Sequence, residues 1–327
     1  MYYHNDDNDN VEEICYEQDH IDKVWNEMKL VIPVYFQKYI DTEGGHSLQD
    51  NEIEKLAAHF GSTSNPQSKI KDNKEILERL LRESIHDYEK NRQKYQDILN
   101  LEALQEYEQD VNSFKNTVLK NQIPIINKTL QSKAKELERY KINFNSAQAG
   151  DLFTSISNIV KLANKLRDDW YEENGFEEID TYDRLGYRKF DGENYIVYGV
   201  IGGGIKSHFI YKLFPEIYPY RSREAVWALY YLSSKKKFGC KEDSQFLMIN
   251  VEKGTTQQNY FYHYGLFAFY ALRIFKKLKE LYTEHGMSFS TEYRFVVVDS
   301  FLSFVARSHK SEIDLLKQKS TNYHYDY

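Results

Sequence analysis

The chain has 327 residues, a formal net charge of −7 at pH 7 and an aromatic content of 15%. Its two cysteines, Cys15 and Cys240, lie far apart, which excludes a disulfide framework and the closely spaced Cys/His pairs of a zinc finger. No stretch approaches the roughly 20 apolar residues that span a bilayer, and residues 1–10 lack the apolar region of a signal peptide. We therefore expect a cytoplasmic protein with no membrane contact, no metal and no cofactor.

Charge is distributed unevenly along the chain. Residues 1–60 hold fourteen acidic and four basic side chains, whereas residues 184–241 hold eleven basic and four acidic ones. The first 20 residues are predicted to be a disordered acidic tail. The basic segment indicates a positive face on an otherwise acidic protein.

The segment after the tail is predicted to be helical. Trp25, Met28, Ile32 and Phe36 are spaced as one helical face, which predicts a helix over residues 21–40. A shorter helix is expected over residues 48–60. Glycine, serine and proline in residues 61–66 indicate a linker, so residues 21–65 form a short helical segment of their own.

Residues 66–175 are predicted to form a long helical hairpin or coiled-coil region. Leu104, Tyr107, Val111, Phe114 and Val118 alternate in steps of three and four, which is the spacing of an a/d seam. Such an apolar stripe has to be covered. Either the helices pack on one another, or residues 70–145 pair with a second copy or a partner protein. Short breaks between the helices favour packing within the chain.

Residues 176–308 are predicted to be a compact α+β domain, followed by a polar tail over residues 309–327. Runs at 185–190 and 195–200 predict a β-hairpin, and residues 246–251 predict a strand. Helices are expected over 206–214, over 223–233 with Ser222 as the N-cap, and over 264–282. Residues 295–298 fit either a strand or a buried helix. The predicted fold class is therefore mostly α with a small β component (α+β), with a helical coiled-coil-like N-terminal arm.

A glycine run in this domain carries the main functional hypothesis. Free N–H groups at a helix N-terminus favour an anion, and the glycines open directly into a predicted helix. The candidate phosphate-binding residues are Gly202, Gly203, Gly204, Lys206, Ser207, Arg221 and Arg223. His208, Lys212 and the lysines at 235–237 would extend this positive surface, and exposed Tyr218 and Tyr220 would stack on unpaired bases. The alternative is that the glycines form only a tight turn and the tyrosines are core residues.

The same run has a family resemblance. Gly202-Gly203-Gly204, followed by an apolar helix and a proline-containing turn, resembles the helix-hairpin-helix element of the DNA glycosylase superfamily over about residues 200–232. The resemblance implies that main-chain N–H groups hold a DNA backbone phosphate. In that family an essential aspartate follows the proline turn. Here residues 220–223 read Tyr-Arg-Ser-Arg, so the resemblance implies binding of DNA or RNA without glycosylase activity.

Two other functions remain open. The chain is an interaction or scaffold protein without catalysis if residues 70–145 form a homo-oligomer or recruit a partner protein. It is an enzyme of unknown reaction if Glu252, Tyr260 and His263 line a pocket at the entry to the helix over 264–282. A lone histidine such as His263 is more often structural than catalytic.

Overall fold

A computed structural model describes residues 12–43, 66–173, 175–236, 238–240 and 263–322 of the chain. In these ranges the fold is all-α, and no strand forms. The prediction of an α+β fold is therefore wrong. The predicted helix over 48–60, the linker over 61–65 and the predicted strand over 246–251 lie outside the described residues.

The α-helices of seven or more residues are numbered in chain order. In the first half they are α1 (Gln18–Glu43), α2 (Pro66–Glu89), α3 (Arg92–Ile98), α4 (Leu101–Tyr107), α5 (Pro124–Gln131), α6 (Glu138–Ser146) and α7 (Ala149–Glu173). In the second half they are α8 (Gly203–Leu213), α9 (Arg223–Leu232), α10 (Tyr264–Glu284), α11 (Arg294–Ser308) and α12 (Lys310–Asn322). The sequence-based prediction of α1, α8, α9 and α10 is confirmed, and Ser222 caps α9 by accepting a hydrogen bond from Ala225 N (2.9 Å).

The predicted hairpin at 185–200 is replaced by short helical turns. Gly186 takes a left-handed conformation (φ 72°) and ends the helical turn Tyr182–Leu185, and 3-10 turns follow at Tyr187–Asp191 and Glu193–Tyr195. Tyr187 and Phe190 are both buried, three residues apart. That spacing is typical of a helical turn and not of a strand, where alternate residues share a face. An isolated bridge joins Val197 and Ile201.

Two other ambiguous segments are also helical. Residues 295–298 lie in α11, and all four are buried, which explains why their run of apolar residues shows no periodicity. The segment predicted as a polar tail contains α12, whose Ile313 is buried.

The central layer of the fold is built around α10, which packs against α1 and α11, while α9 lies along α11. The acidic N-terminal helix therefore belongs to the same hydrophobic core as the second half of the chain. A distant carboxylate caps α10. Asp191 accepts hydrogen bonds from Tyr264 N (2.7 Å) and Gly265 N (3.1 Å), which satisfies two of the free N–H groups at the start of the helix.

The predicted seam in the first half is covered within the chain. Caps interrupt the helix, because the side chains of Asn100 and Asp110 accept hydrogen bonds from Ala103 N and Ser113 N. A π-helix, Phe114–Gln122, follows and packs against α7. Phe114 is buried against Tyr107 and, edge to face, against a ring of α7 (5.4 Å between centroids). Pairing of residues 70–145 with a second copy stays a prediction.

Candidate functional site

The glycine run begins α8. Gly199 takes a left-handed conformation (φ 71°) in the turn that the Val197–Ile201 bridge closes, so the residues before the glycines form a tight turn and not a helix. Gly202 is the N-cap of α8. It is exposed, its φ of −105° is open to any residue, and no side chain caps the helix from this position. The N-terminus of α8 thus reaches the surface at Gly202.

The predicted phosphate-binding lysine and serine lie in the interior. Lys206 is only 2% exposed, and its ammonium group donates to the carbonyl oxygen of Phe190. Burial lowers the pKa of Lys206 to about 8, against the opposing effect of the Asp191 carboxylate. Ser207 Oγ donates to Gly204 O (3.1 Å) and accepts from Arg221 N (3.1 Å). Both side chains therefore tie α8 to its neighbours instead of facing a phosphate.

The two predicted arginines have different surroundings. Arg221 is 5% exposed and lies against Gly203: a Cβ atom at Gly203 would stand 2.7 Å from Arg221 Nη1. A larger residue at position 203 would therefore require the Arg221 side chain to shift. Arg223, in the first turn of α9, lines an open cleft. The glycine run, Ser207 and Arg221 do lie together, but the charged side chains of Lys206 and Arg221 are buried.

The wider basic surface also differs from the prediction. His208 packs on Tyr220 (4.7 Å between centroids), and burial lowers its pKa to about 3, so it carries no charge at pH 7. Lys212 is buried and donates to Tyr88 O. Lys235 and Lys236 pair with Glu312 and Glu27, respectively. Lys237 lies outside the described residues.

Of the two tyrosines expected to stack on bases, Tyr218 is buried and Tyr220 is half-buried. Tyr218 is fully buried and donates to Ala163 O (2.7 Å). Tyr220 is stacked on Tyr211, with 5.7 Å between ring centroids and 16° between planes. Tyr218 has no free face for a base, whereas Tyr220 is half-buried and one edge of it reaches a cleft. The prediction that both rings are exposed is wrong.

The second predicted pocket is only partly visible. Glu252 and Tyr260 lie outside the described residues. His263 precedes α10, and its Nδ1 contacts the hydroxyl of Tyr16, with the two rings 5.7 Å apart. Burial lowers the pKa of His263, which favours its neutral form. In the part of the chain that can be described, His263 acts as a packing residue between the N-terminal segment and α10.

A different cleft lies at the N-terminus of α9, with a volume of about 350 Å³. Its lining residues are Tyr220, Ser222, Arg223, Glu224, Asp299 and Ser303. The first four come from the turn and the first residues of α9. Asp299 and Ser303 are one helical turn apart on α11, so they share the face that meets α9. The lining residues therefore carry one guanidinium group, two carboxyl groups and three hydroxyl groups.

Asp299 has the most unusual chemistry in this cleft. Burial raises its pKa to about 7, and the Glu224 carboxylate adds to this effect. Lys212 and a hydrogen bond with Tyr211 act in the opposite direction. A carboxyl group that titrates near neutral pH can both accept and release a proton there, which is typical of functional sites.

Arg223 supplies a second signal in the cleft. Its Nε atom is buried and has no hydrogen-bond partner among the described residues. A bound ligand is one way in which such a donor is satisfied. Sequence analysis singled out Arg223 but missed Asp299 and Ser303. The available signal was an aspartate and a serine four residues apart in the middle of helix α11, among mostly apolar residues.

None of the helices in the described ranges is long and apolar enough to span a membrane. Compared with models of known protein families, with curated proteins and with solved structures, the chain shows no match.

Proposed function

We propose that the chain binds a small zwitterionic molecule, such as a free amino acid, in the cleft between α9 and α11. The observation that carries this proposal is the joint placement of Arg223 and the carboxyl groups of Glu224 and Asp299 in one cleft of about 350 Å³. That volume lies at the lower end of the range of small-molecule pockets. The ligand is therefore small.

Charge complementarity selects the ligand class. The guanidinium group of Arg223 offers paired donors to a carboxylate, and the helix N-terminus behind it favours the same negative charge. The carboxylates of Glu224 and Asp299 favour a cation such as an ammonium group. Ser222 already accepts a hydrogen bond from Ala225 N, so its hydroxyl is left to donate. A molecule with a carboxylate and an ammonium group close together, such as a free amino acid, matches these side chains.

The pKa of Asp299 makes binding dependent on pH. An ammonium group binds the ionised carboxylate better than the neutral acid, so ligand affinity rises as the pH increases through about 7. The ligand in turn lowers the pKa of Asp299. Asp299 therefore releases a proton when the ligand binds below neutral pH.

The test is a thermal-shift screen of the full chain with each free amino acid, followed by calorimetry on those that raise Tm. At least one amino acid is expected to bind with one site per chain. Its N-acetyl and amide derivatives, which each lack one charge, are expected to bind at least about tenfold more weakly.

A pair of matched variants tests whether Arg223 binds the ligand. Arg223→Gln is expected to weaken binding by about 10- to 100-fold, the usual effect of losing a hydrogen bond to a charged group. Arg184→Gln changes an exposed arginine away from the cleft and leaves affinity unchanged. If no amino acid binds, or if Arg223→Gln binds as tightly as the original chain, the proposal is wrong.

We also propose that the N-terminus of α8 binds the phosphate backbone of a nucleic acid. This proposal is supported by the exposed N-cap Gly202, by the absence of a side-chain cap on α8 from this position, and by the helix-hairpin-helix resemblance. With Lys206 and Arg221 enclosed, the contact would rest on main-chain N–H groups.

The variant Gly202→Asp separates this second proposal from the first. No atom lies within 4 Å of a Cβ at this position, and aspartate is a preferred N-cap, so the variant folds with equal or slightly higher stability. Its carboxylate repels a phosphate. Gel shifts with single-stranded DNA and RNA at low salt are expected to show binding that Gly202→Asp abolishes and Gly202→Asn retains. No shift by the full chain would remove the proposal.

A further inference from the structure

Two cysteines that are far apart in sequence meet in the structure, together with a histidine. Cys15 lies in the 3-10 turn Glu13–Tyr16, His20 in the first turn of α1, and Cys240 in the segment that follows α9. Their potential ligand atoms all lie within 4.8 Å of one another. This cluster is separate from the cleft between α9 and α11, whose lining residues it does not share.

Two of the three distances in the cluster match those between ligands of a tetrahedral ion, and the third is no longer than 4.8 Å. Zn²⁺ bonds of about 2.3 Å to sulfur and about 2.0–2.1 Å to nitrogen place two sulfur ligands about 3.8 Å apart, and sulfur and nitrogen about 3.6 Å apart. The two Sγ atoms are 3.6 Å apart, and Cys240 Sγ is 3.7 Å from His20 Nε2. A disulfide needs a separation of about 2.05 Å, so the two cysteines are free thiols that contact each other, with Cys15 donating to Cys240.

We propose that Cys15, His20 and Cys240 bind one Zn²⁺ ion, with water as the fourth ligand. Binding releases one proton from each thiol, because the thiolate is the form that bonds to the metal. Two thiolates, a neutral imidazole and a divalent cation together carry no net charge. That neutrality fits a site in which Cys15 is only 2% exposed, since an unbalanced charge there would be costly.

The surroundings hold the ligands in place. His20 is anchored on a 26-residue helix, and its ring packs edge-on against Phe238, with 6.3 Å between centroids. Cys15 is fixed by a hydrogen bond from its own N–H to Glu12 O (2.9 Å). Cys15 and His20 are thus already held in place and lose little freedom when the ion binds.

The ion would connect distant parts of the chain. Cys15 and Cys240 are separated by 225 positions, so the metal closes a long loop between the start of α1 and the end of the α9 segment. Closing such a loop restricts the unfolded chain, as a disulfide does. The site is therefore expected to stabilise the packing of α1 against α9 and α10.

The experiment uses the full chain, purified with a reducing agent and without chelators, then stripped and titrated with Co²⁺ and Zn²⁺. Co²⁺ is expected to give a thiolate charge-transfer band that saturates at one equivalent, with the strong visible absorption of a tetrahedral site, and Zn²⁺ is expected to displace it. Zn²⁺ should also raise Tm and protect both thiols from a thiol reagent.

Variants decide the ligand set. Cys15→Ser, His20→Gln and Cys240→Ser are each expected to lower Zn²⁺ affinity by at least about 100-fold, more than the loss of a residue that only orients a ligand. His86→Gln changes an exposed histidine on α2 and keeps the affinity of the original chain. Circular dichroism of each stripped variant shows whether it folds, and His20→Gln decides the case if a cysteine variant does not.

Three results would overturn the proposal. The first is a Co²⁺ spectrum without a thiolate band. The second is equal metal affinity in the chain and in a folded His20→Gln variant. The third is a Cys15–Cys240 disulfide that persists under reducing conditions and leaves no free thiol to bind the ion.

Discussion

At the scale of single residues, the most informative side chains are acidic ones in unusual surroundings. Asp191 caps a helix that begins 73 positions later in the chain. Asp299 lies in a cleft and titrates near neutral pH. Neither role was predicted from the sequence. A carboxylate that caps a distant helix has no local sequence pattern, and neither has a carboxyl group whose pKa is raised by burial. By contrast, the cap formed by Ser222 is local, and its position before an apolar helix was enough to predict it.

Asp191→Ala tests the distant cap. The variant removes both acceptors from the start of α10 and leaves Lys206 with one charged neighbour fewer. We expect a loss of about 2 kcal/mol in the free energy of unfolding, measured by urea denaturation. Asp183→Ala, at an exposed position nearby, is the control and is expected to stay within about 0.5 kcal/mol of the original chain. Equal losses in the two variants would contradict the cap.

Asp299→Asn tests the perturbed carboxyl group. Its pKa is about 7 in the folded chain and 3.8 as a reference value, so between these pH values the folded chain binds more protons than the unfolded chain. Stability then falls as the pH rises towards 7. Asparagine has nearly the same shape as the protonated aspartic acid and stays uncharged at every pH. We expect it to stabilise the chain by about 2–3 kcal/mol more at pH 8 than at pH 5, by urea denaturation at both pH values.

The control for this pH dependence is Asp314→Asn, at an exposed position on α12. It is expected to change stability equally at the two pH values. If Asp299→Asn behaves in the same way, the carboxyl group of Asp299 is ionised in the folded chain at pH 5, and its proposed role in the cleft fails.

At the scale of elements, helices were predictable where apolar residues recur at helical spacing, as in α1 and α10. The prediction failed where short aromatic runs were interpreted as strands. Tyr187 and Phe190 face the same side of a 3-10 turn, and that turn packs directly on α10. Strand and 3-10 turn differ by only one residue in period, so a six-residue run does not separate them.

Gly265→Ala tests the close contact between that turn and α10. A Cβ at Gly265 would stand 3.1 Å from backbone atoms of Tyr187 and Arg188, and backbone cannot move aside as a side-chain end can. We expect a loss of about 1–3 kcal/mol in stability. Gly150→Ala, in the first turn of α7, meets no atom within 4 Å and is expected to gain about 0.4–1 kcal/mol. Thermal unfolding of both variants distinguishes overpacking from a general effect of alanine.

At the scale of the whole molecule, one core joins the acidic N-terminal helix to the aromatic second half. The a/d pattern over residues 104–118 indicated an apolar face correctly, but it did not determine what covers that face. The caps at Asn100 and Asp110 divide the segment into short helices, and packing against α7 covers the apolar face. Likewise, the meeting of Cys15 with Cys240 depends on the path of the chain through α9, which no local spacing encodes.

Phe114→Ala tests whether that apolar face belongs to the core of a single chain. We expect a loss of about 3–5 kcal/mol in stability, because the ring is fully buried between Tyr107 and Phe153. Ile142→Ala, at a side chain that is 65% exposed on α6, is the control with little effect. Urea midpoints that are independent of protein concentration support intramolecular packing. Midpoints that rise with concentration would show that an oligomer holds the face instead.

The central claim is that the cleft between α9 and α11 contains a carboxyl group poised near neutral pH. Its most direct test is a carbon-13 NMR titration of the carboxyl carbons in the labelled full chain, with Asp299→Asn to assign the resonance. The expected result is that the resonance missing from the variant titrates with a pKa of about 7. A resonance of Asp299 that titrates near its ordinary value, below about 5, would contradict the claim and remove the expected pH dependence of ligand binding near pH 7.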